Sequence, residues 1–153
     1  MPNSRFSKAV NELENPPMSE YDKIKHDFWL NADNPNIQEA QKYALKYYER
    51  CSDPFNDHRK KMPEKKKSVA IDIAQWFIRA KRYMLAMEWY ERAERDILSY
   101  ISNKKRQKYC LSFLYEEMAE LCFKVHDMDG WQEYKKKSEK IKPYDWNIYG
   151  PDY

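Results

Sequence analysis

The sequence predicts an all-α fold built from antiparallel helical hairpins, and three observations carry that expectation. Only two of the 153 residues are glycine, Gly130 and Gly150. That leaves almost nothing for β-hairpin turns, phosphate-cradling loops or dinucleotide-binding folds. Apolar residues recur three and four positions apart along most of the chain, which is the helical period. Aromatics make up 16% beside 35% charged residues, whereas disordered chains of such charge are poor in aromatics. A chain of this size buries roughly 70% of its unfolded surface, enough for one core.

The elements follow in order. Residues 1–18 read as a flexible arm ending at Asn15-Pro16-Pro17, and residues 19–143 as a single helical-hairpin domain. Ser19 can cap a first short helix with the stripe Tyr21, Ile24, Phe28 and Trp29, which Asn31 to Pro35 breaks. A second helix carries Ile37, Ala40, Ala44, Tyr47, Tyr48 and Cys51. Residues 52–67, with Pro54 and Pro63 among many charges, form the longest linker. From about Ser68 a third helix shows Val69, Ile73, Trp76, Phe77 and Ala80, and a tight turn at Lys81-Arg82 leads into a fourth. The fourth has Ala86, Trp89, Tyr90, Ala93, Ile97 and Ile101 inside, with Glu88–Arg92 and Glu91–Arg95 as outward i,i+4 pairs. A fifth, over about 106–126, shows Leu111, Leu114, Met118, Leu121 and Val125, widened by Phe113, Ala119, Cys122 and Phe123. A stripe that wide must touch neighbours on two sides. Asp127 to Gly130 ends it, and a sixth helix carries Trp131, Tyr134, Ser138 and Ile141 before Pro143 opens a tail.

Charge is uneven. Residues 1–57 have a net charge of −3 and residues 58–153 of +6, giving the overall +3. The excess lies in short runs: Arg59, Lys60 and Lys61 with Lys65, Lys66 and Lys67; then Lys104, Lys105 and Arg106; then Lys135 to Lys137. Solvated turns and a footprint for RNA or an acidic partner are both open readings. A global +3 is low for a nucleic-acid binder.

Cys51, Cys110 and Cys122 are an odd set without a C-x-x-C spacing, so they read as reduced thiols. No apolar stretch approaches the ~18 residues that cross a bilayer. The first residues lack a secretory core, and Glu12 and Glu14 disfavour a mitochondrial presequence. The expected compartment is the cytosol, with the mitochondrial matrix as the alternative. Candidate chemistry is thin. Cys122 and His126 are i,i+4, but zinc needs four ligands and no paired ligand stands nearby. Glu116, Glu117 and Glu120 lack an E-x-x-H spacing. We expect no catalytic residues, no cofactor, no metal and no small-molecule substrate.

The pattern from Ala70 to Pro143 resembles the tetratricopeptide repeat. Ala70-x2-Ile73-Ala74-x2-Phe77 stands where the family has W-x2-L-G-x2-Y, and Ala86-x3-Tyr90 with Ala93 stands where it has A-x3-F. Small Ala74 and Ala86 permit close backbone approach, with Phe77, Tyr83 and Tyr90 filling beside them. Tyr115-x2-Met118-Ala119-x2-Cys122 looks like a second opening 45 residues on, and Pro143 falls at the terminal proline; Trp131 departs from the pattern by standing at a small-residue position. Residues 21–51 match only at Ala44-x3-Tyr48. The resemblance implies hairpins stacked as a short TPR-like solenoid and a non-catalytic scaffold or adaptor role in a multi-subunit assembly.

It also implies a groove lined by the first helix of each pair. Members that grip acidic chaperone tails place Lys, Arg and Asn there. This chain has Ile71, Asp72 and Gln75, then Glu116, Glu117 and Glu120, so its groove should prefer basic or aromatic segments of other subunits. The tail, residues 144–153, carries Tyr144, Trp146, Tyr149 and Tyr153. That is anchor composition for a partner, or a cover for the chain's own last helix. Contact with RNA through basic loops and aromatics is the alternative function.

Overall fold

The structure, a computed structural model, describes residues 4–14, 18–50 and 65–141. Those residues are all-helical, with no strand among them: α1 (Ser4–Glu14), α2 (Glu20–Asn31), α3 (Ile37–Arg50), α4 (Lys65–Arg79), α5 (Tyr83–Tyr100), α6 (Lys104–Lys124) and α7 (Met128–Ile141). Among the described residues no helix is long and apolar enough to cross a membrane.

Local chemistry sets the boundaries. Ser19 caps α2 by accepting from the Asp22 amide at 3.1 Å, and Glu20 and Asp22 sit in a first turn that favours negative charge. Asn36 caps α3, its Oδ1 accepting from the Gln38 and Glu39 amides. Asn103 caps α6 by accepting from the Arg106 amide. The ends of α4 and α6 are alike. The Arg82 amide donates to the Phe77 carbonyl and Lys81 to Ile78; the Asp127 amide donates to Cys122 and His126 to Phe123. Both are Schellman closures, with Lys81 at φ 61° and His126 at φ 66° in the left-handed region.

Packing runs through successive helices: α2 on α3, α4 on α5 and α6 on α7, with further contact of α3 with α4 and α5 with α6. Phe28, Ile73, Ala74, Phe77, Ala86, Ala93, Ile97 and Leu114 are fully buried, and Tyr90 is nearly so. Each large apolar side chain hidden this way contributes roughly 1.5–3 kcal/mol of transfer free energy. Edge-on rings at 5.5 Å join Phe28 of α2 to Phe77 of α4. Two buried serines, Ser112 and Ser138, meet between α6 and α7. The Ser138 hydroxyl donates to the Ser112 carbonyl at 3.0 Å, and the two hydroxyls lie 3.2 Å apart. Two small side chains there leave Trp131 at the margin, half-buried and tilted against Phe123.

Four expectations change. The arm contains a helix, α1, although none of its residues is buried. The third helix begins one turn earlier, at Lys65, so Lys65, Lys66 and Lys67 open α4 instead of closing a linker. Gly130 lies inside α7 and does not end α6; the amide of Gly130 donates to the capping Asp127 at 3.0 Å. A Cβ there would stand 2.9 Å from Cys122 Sγ and closer still to the Asp127 carboxylate, so α7 approaches α6 at a residue without a side chain. Finally, Glu88–Arg92 and Glu91–Arg95 are not among the ion pairs of the described residues. Arg92 lies instead over the rings of Tyr48 and Trp89, at 5.1 and 4.7 Å.

Candidate functional site

The helix α4 presents Asp72, Gln75, Trp76 and Arg79, three or four residues apart and therefore on one face. On one side this face meets α2. Asp72 accepts from Trp29 Nε1 at 2.9 Å and from the Tyr47 hydroxyl at 3.0 Å. The Trp29 and Trp76 rings stack at 5.2 Å. Cations cover the stack, with Lys25 Nζ 5.1 Å from the Trp29 centroid and the Arg79 guanidinium 4.6 Å from that of Trp76. Burial and the Asp72 carboxylate push the Tyr47 phenol well above the ordinary tyrosine range.

On its other side the face meets α6. Glu117 accepts from Gln75 Nε2 at 3.4 Å and from the Tyr90 hydroxyl at 3.3 Å. Burial first, then Glu117 and Glu120, raises the Tyr90 phenol so that it stays a neutral donor. Ile78, Tyr90, Glu117, Glu120, Leu121, Phe123, Lys124 and His126 line a cleft of about 480 Å3. Apolar walls with two carboxylates and a phenol can hold the stem and head of a cationic side chain.

The predicted groove residues thus separate. Glu117 and Glu120 line this cleft and Gln75 reaches it only through its bond to Glu117, whereas Asp72 is committed to Trp29 and Tyr47, and Glu116 is half-buried on α6. Of the basic residues, Lys65, Lys66 and Lys67 open α4, while Lys104, Lys105 and Arg106 open α6. Arg59, Lys60 and Lys61, and the tail residues Tyr144, Trp146, Tyr149 and Tyr153, lie outside the described residues. Among the described residues no group of three or more His, Cys, Asp or Glu is placed to hold a metal. Cys122 is buried, and His126 lies exposed in the turn beyond α6, so the two do not share a helix face. Burial, with Asp127 and Glu133, raises the Cys122 thiol, which keeps it a poor nucleophile.

Sequence reasoning missed the cationic cover, because Trp29 and Trp76 at helical spacing read simply as core. It also missed Arg82, whose guanidinium donates to the carbonyls of Ala32 and Asn34 and so ties the α2–α3 turn to the α4–α5 turn. No family model, curated protein or solved structure matches the chain.

Proposed function

We propose that this protein is a non-catalytic interaction subunit of a larger assembly, a TPR-like stack of helical hairpins. Its α2–α4–α6 face is a groove for basic or aromatic segments of other subunits. The cleft where Glu117 and Glu120 meet Ile78, Tyr90, Leu121, Phe123 and Lys124 carries the reading, because its apolar residues and two carboxylates complement a lysine or arginine beside an apolar residue. Pairwise packing of successive helices supports the repeat architecture. So do the two Schellman closures, whose residues Phe77 and Cys122 stand at the same 45-residue offset as the two sequence openings. Free thiols at Cys110 and Cys122 suit a reducing compartment, the cytosol first and the mitochondrial matrix second.

A second reading, contact with RNA, is favoured by the cations lying over the half-buried rings of Trp29 and Trp76, which could hold a phosphate beside a stacked base. The two readings separate in a titration with labelled peptides and with single-stranded RNA. We expect a peptide carrying Lys or Arg next to Phe or Tyr to bind, the Glu117→Lys/Glu120→Lys variant to lose about tenfold or more in affinity, and Glu120→Lys alone, at an exposed position, to lose affinity with an unchanged melting temperature. The tail is proposed as a second anchor, so removal of 144–153 should weaken partner binding more than folding. Equal binding of acidic and basic peptides sinks the groove assignment. Tight RNA binding that collapses between low and moderate salt establishes the second reading instead.

A further inference from the structure

The helix α1 buries none of its 11 residues, yet it is amphipathic. Phe6, Ala9, Val10 and Leu13 fall three or four apart on one stripe, with Phe6 69% and Leu13 82% exposed. Its charges oppose its own helicity. No acid stands in the first turn and no base in the last; Arg5 is near the positive end of the macrodipole, and Glu12 and Glu14 near the negative end. An isolated helix of this length is marginal in water even with favourable charges. A partner that covered the stripe and compensated the charge order would stabilise the helix.

The sequence of α1 says what. Phe6 and Leu13 are seven residues apart, and so are Arg5 and Glu12, so each pair lies about two turns apart on one side of the helix. A two-fold axis across the middle of the helix, near Ala9 and Val10, would set Phe6 of one copy against Leu13 of the other, twice. The same operation sets Arg5 against Glu12, twice, and places each misplaced charge beside the opposite dipole end of the other helix. A parallel pair would place this flank of the two helices on opposite sides of the seam, so that neither Arg5–Glu12 pair forms. With Arg5, Lys8, Glu12 and Glu14 the helix is neutral overall, which gives it no preference for an anionic membrane or a nucleic acid.

We propose that α1 is a self-association element that pairs antiparallel with the α1 of a second copy. Two helices this short bury less than the roughly 1,200 Å2 of a stable interface. The dimer is accordingly weak and concentration-dependent, a contact that strengthens when copies are held close in an assembly.

Sedimentation velocity of the full chain over a concentration series tests this. The wild type should rise from monomer toward dimer. Phe6→Asp/Leu13→Asp should remain monomeric at every concentration with its melting temperature unchanged, since both side chains are exposed in the single chain. Arg5→Glu alone and Glu12→Arg alone should each weaken association roughly tenfold, because like charges then meet twice. An equimolar mixture of those two variants should associate as the wild type does, because every Arg then faces a Glu. Glu117→Lys/Glu120→Lys should leave the dimer intact, which keeps this test apart from the groove. A wild type that stays monomeric, association that survives Phe6→Asp/Leu13→Asp, or a mixture that fails to recover overturns the proposal. Phe6-dependent flotation of the wild type with phosphatidylcholine vesicles would assign the stripe to lipid instead.

Discussion

Lys81 and His126 hold left-handed backbone conformations at the ends of α4 and α6, where a Cβ is costly and glycine is the usual occupant. The left-handed state costs an L-residue about 1–2 kcal/mol, partly offset by the greater unfolded-state entropy of glycine. Lys81→Gly should therefore stabilise the protein by about 0.5–1 kcal/mol, read as a higher midpoint in urea with an unchanged slope. A second consequence at this scale is alkaline sensitivity. Burial, with Asp72, Glu117 and Glu94 as neighbours, raises the phenols of Tyr47, Tyr90 and Tyr115 above the ordinary value of 10.0. Below that value both folded and unfolded chains keep the proton and the contribution is full. Above it the unfolded chain releases protons that the folded chain retains, so stability falls as pH climbs. Urea midpoints measured across the alkaline range should drop beyond pH 10.0, and Tyr90→Phe should flatten the drop. A midpoint that rises there would contradict the assignment of these phenols.

At the scale of elements, Ala74 and Ala86 are fully buried on the paired helices α4 and α5. Ala74→Trp or Ala86→Trp should cost about 1–3 kcal/mol by overpacking; thermal melts unchanged in both variants would show that the crossing tolerates bulk. The helices from α2 to α7 were legible because their apolar residues keep the 3.6 period. The first turn of α4 was not, since three successive lysines at a helix start oppose the macrodipole and resemble a solvated linker. Helix α1 was hidden for the same reason, its charges being reversed end to end. Within the candidate site, Glu117 and Glu120 were legible as outward acids on an apolar helix. The role of Asp72 was not, because sequence spacing cannot reveal that Trp29 and Tyr47, 43 and 25 residues away, both donate to it.

At the scale of the whole molecule, the joint between the leading helices and the rest combines ring packing, Phe28 on Phe77 and Trp29 on Trp76, with directional bonds. Those bonds are Trp29 and Tyr47 to Asp72, the Tyr48 hydroxyl to the buried carboxylate of Asp96 at 2.7 Å, and the Arg82 guanidinium to two carbonyls. Directional bonds of this kind hold one register and weaken abruptly when a partner is lost, whereas apolar contacts slide and recover.

That joint has a consequence for how cooperatively the molecule opens. Arg82 reaches back 50 residues to Ala32, so one side chain belongs to both halves of the chain. Its loss removes one of several ties, so residues 20–50 should open at a lower free energy than the rest of the chain. Native-state amide exchange should then split into two classes in Arg82→Met, with residues 20–50 exchanging faster while α4 to α7 keep wild-type protection. Uniformly faster exchange along the chain would mean the two halves open only together.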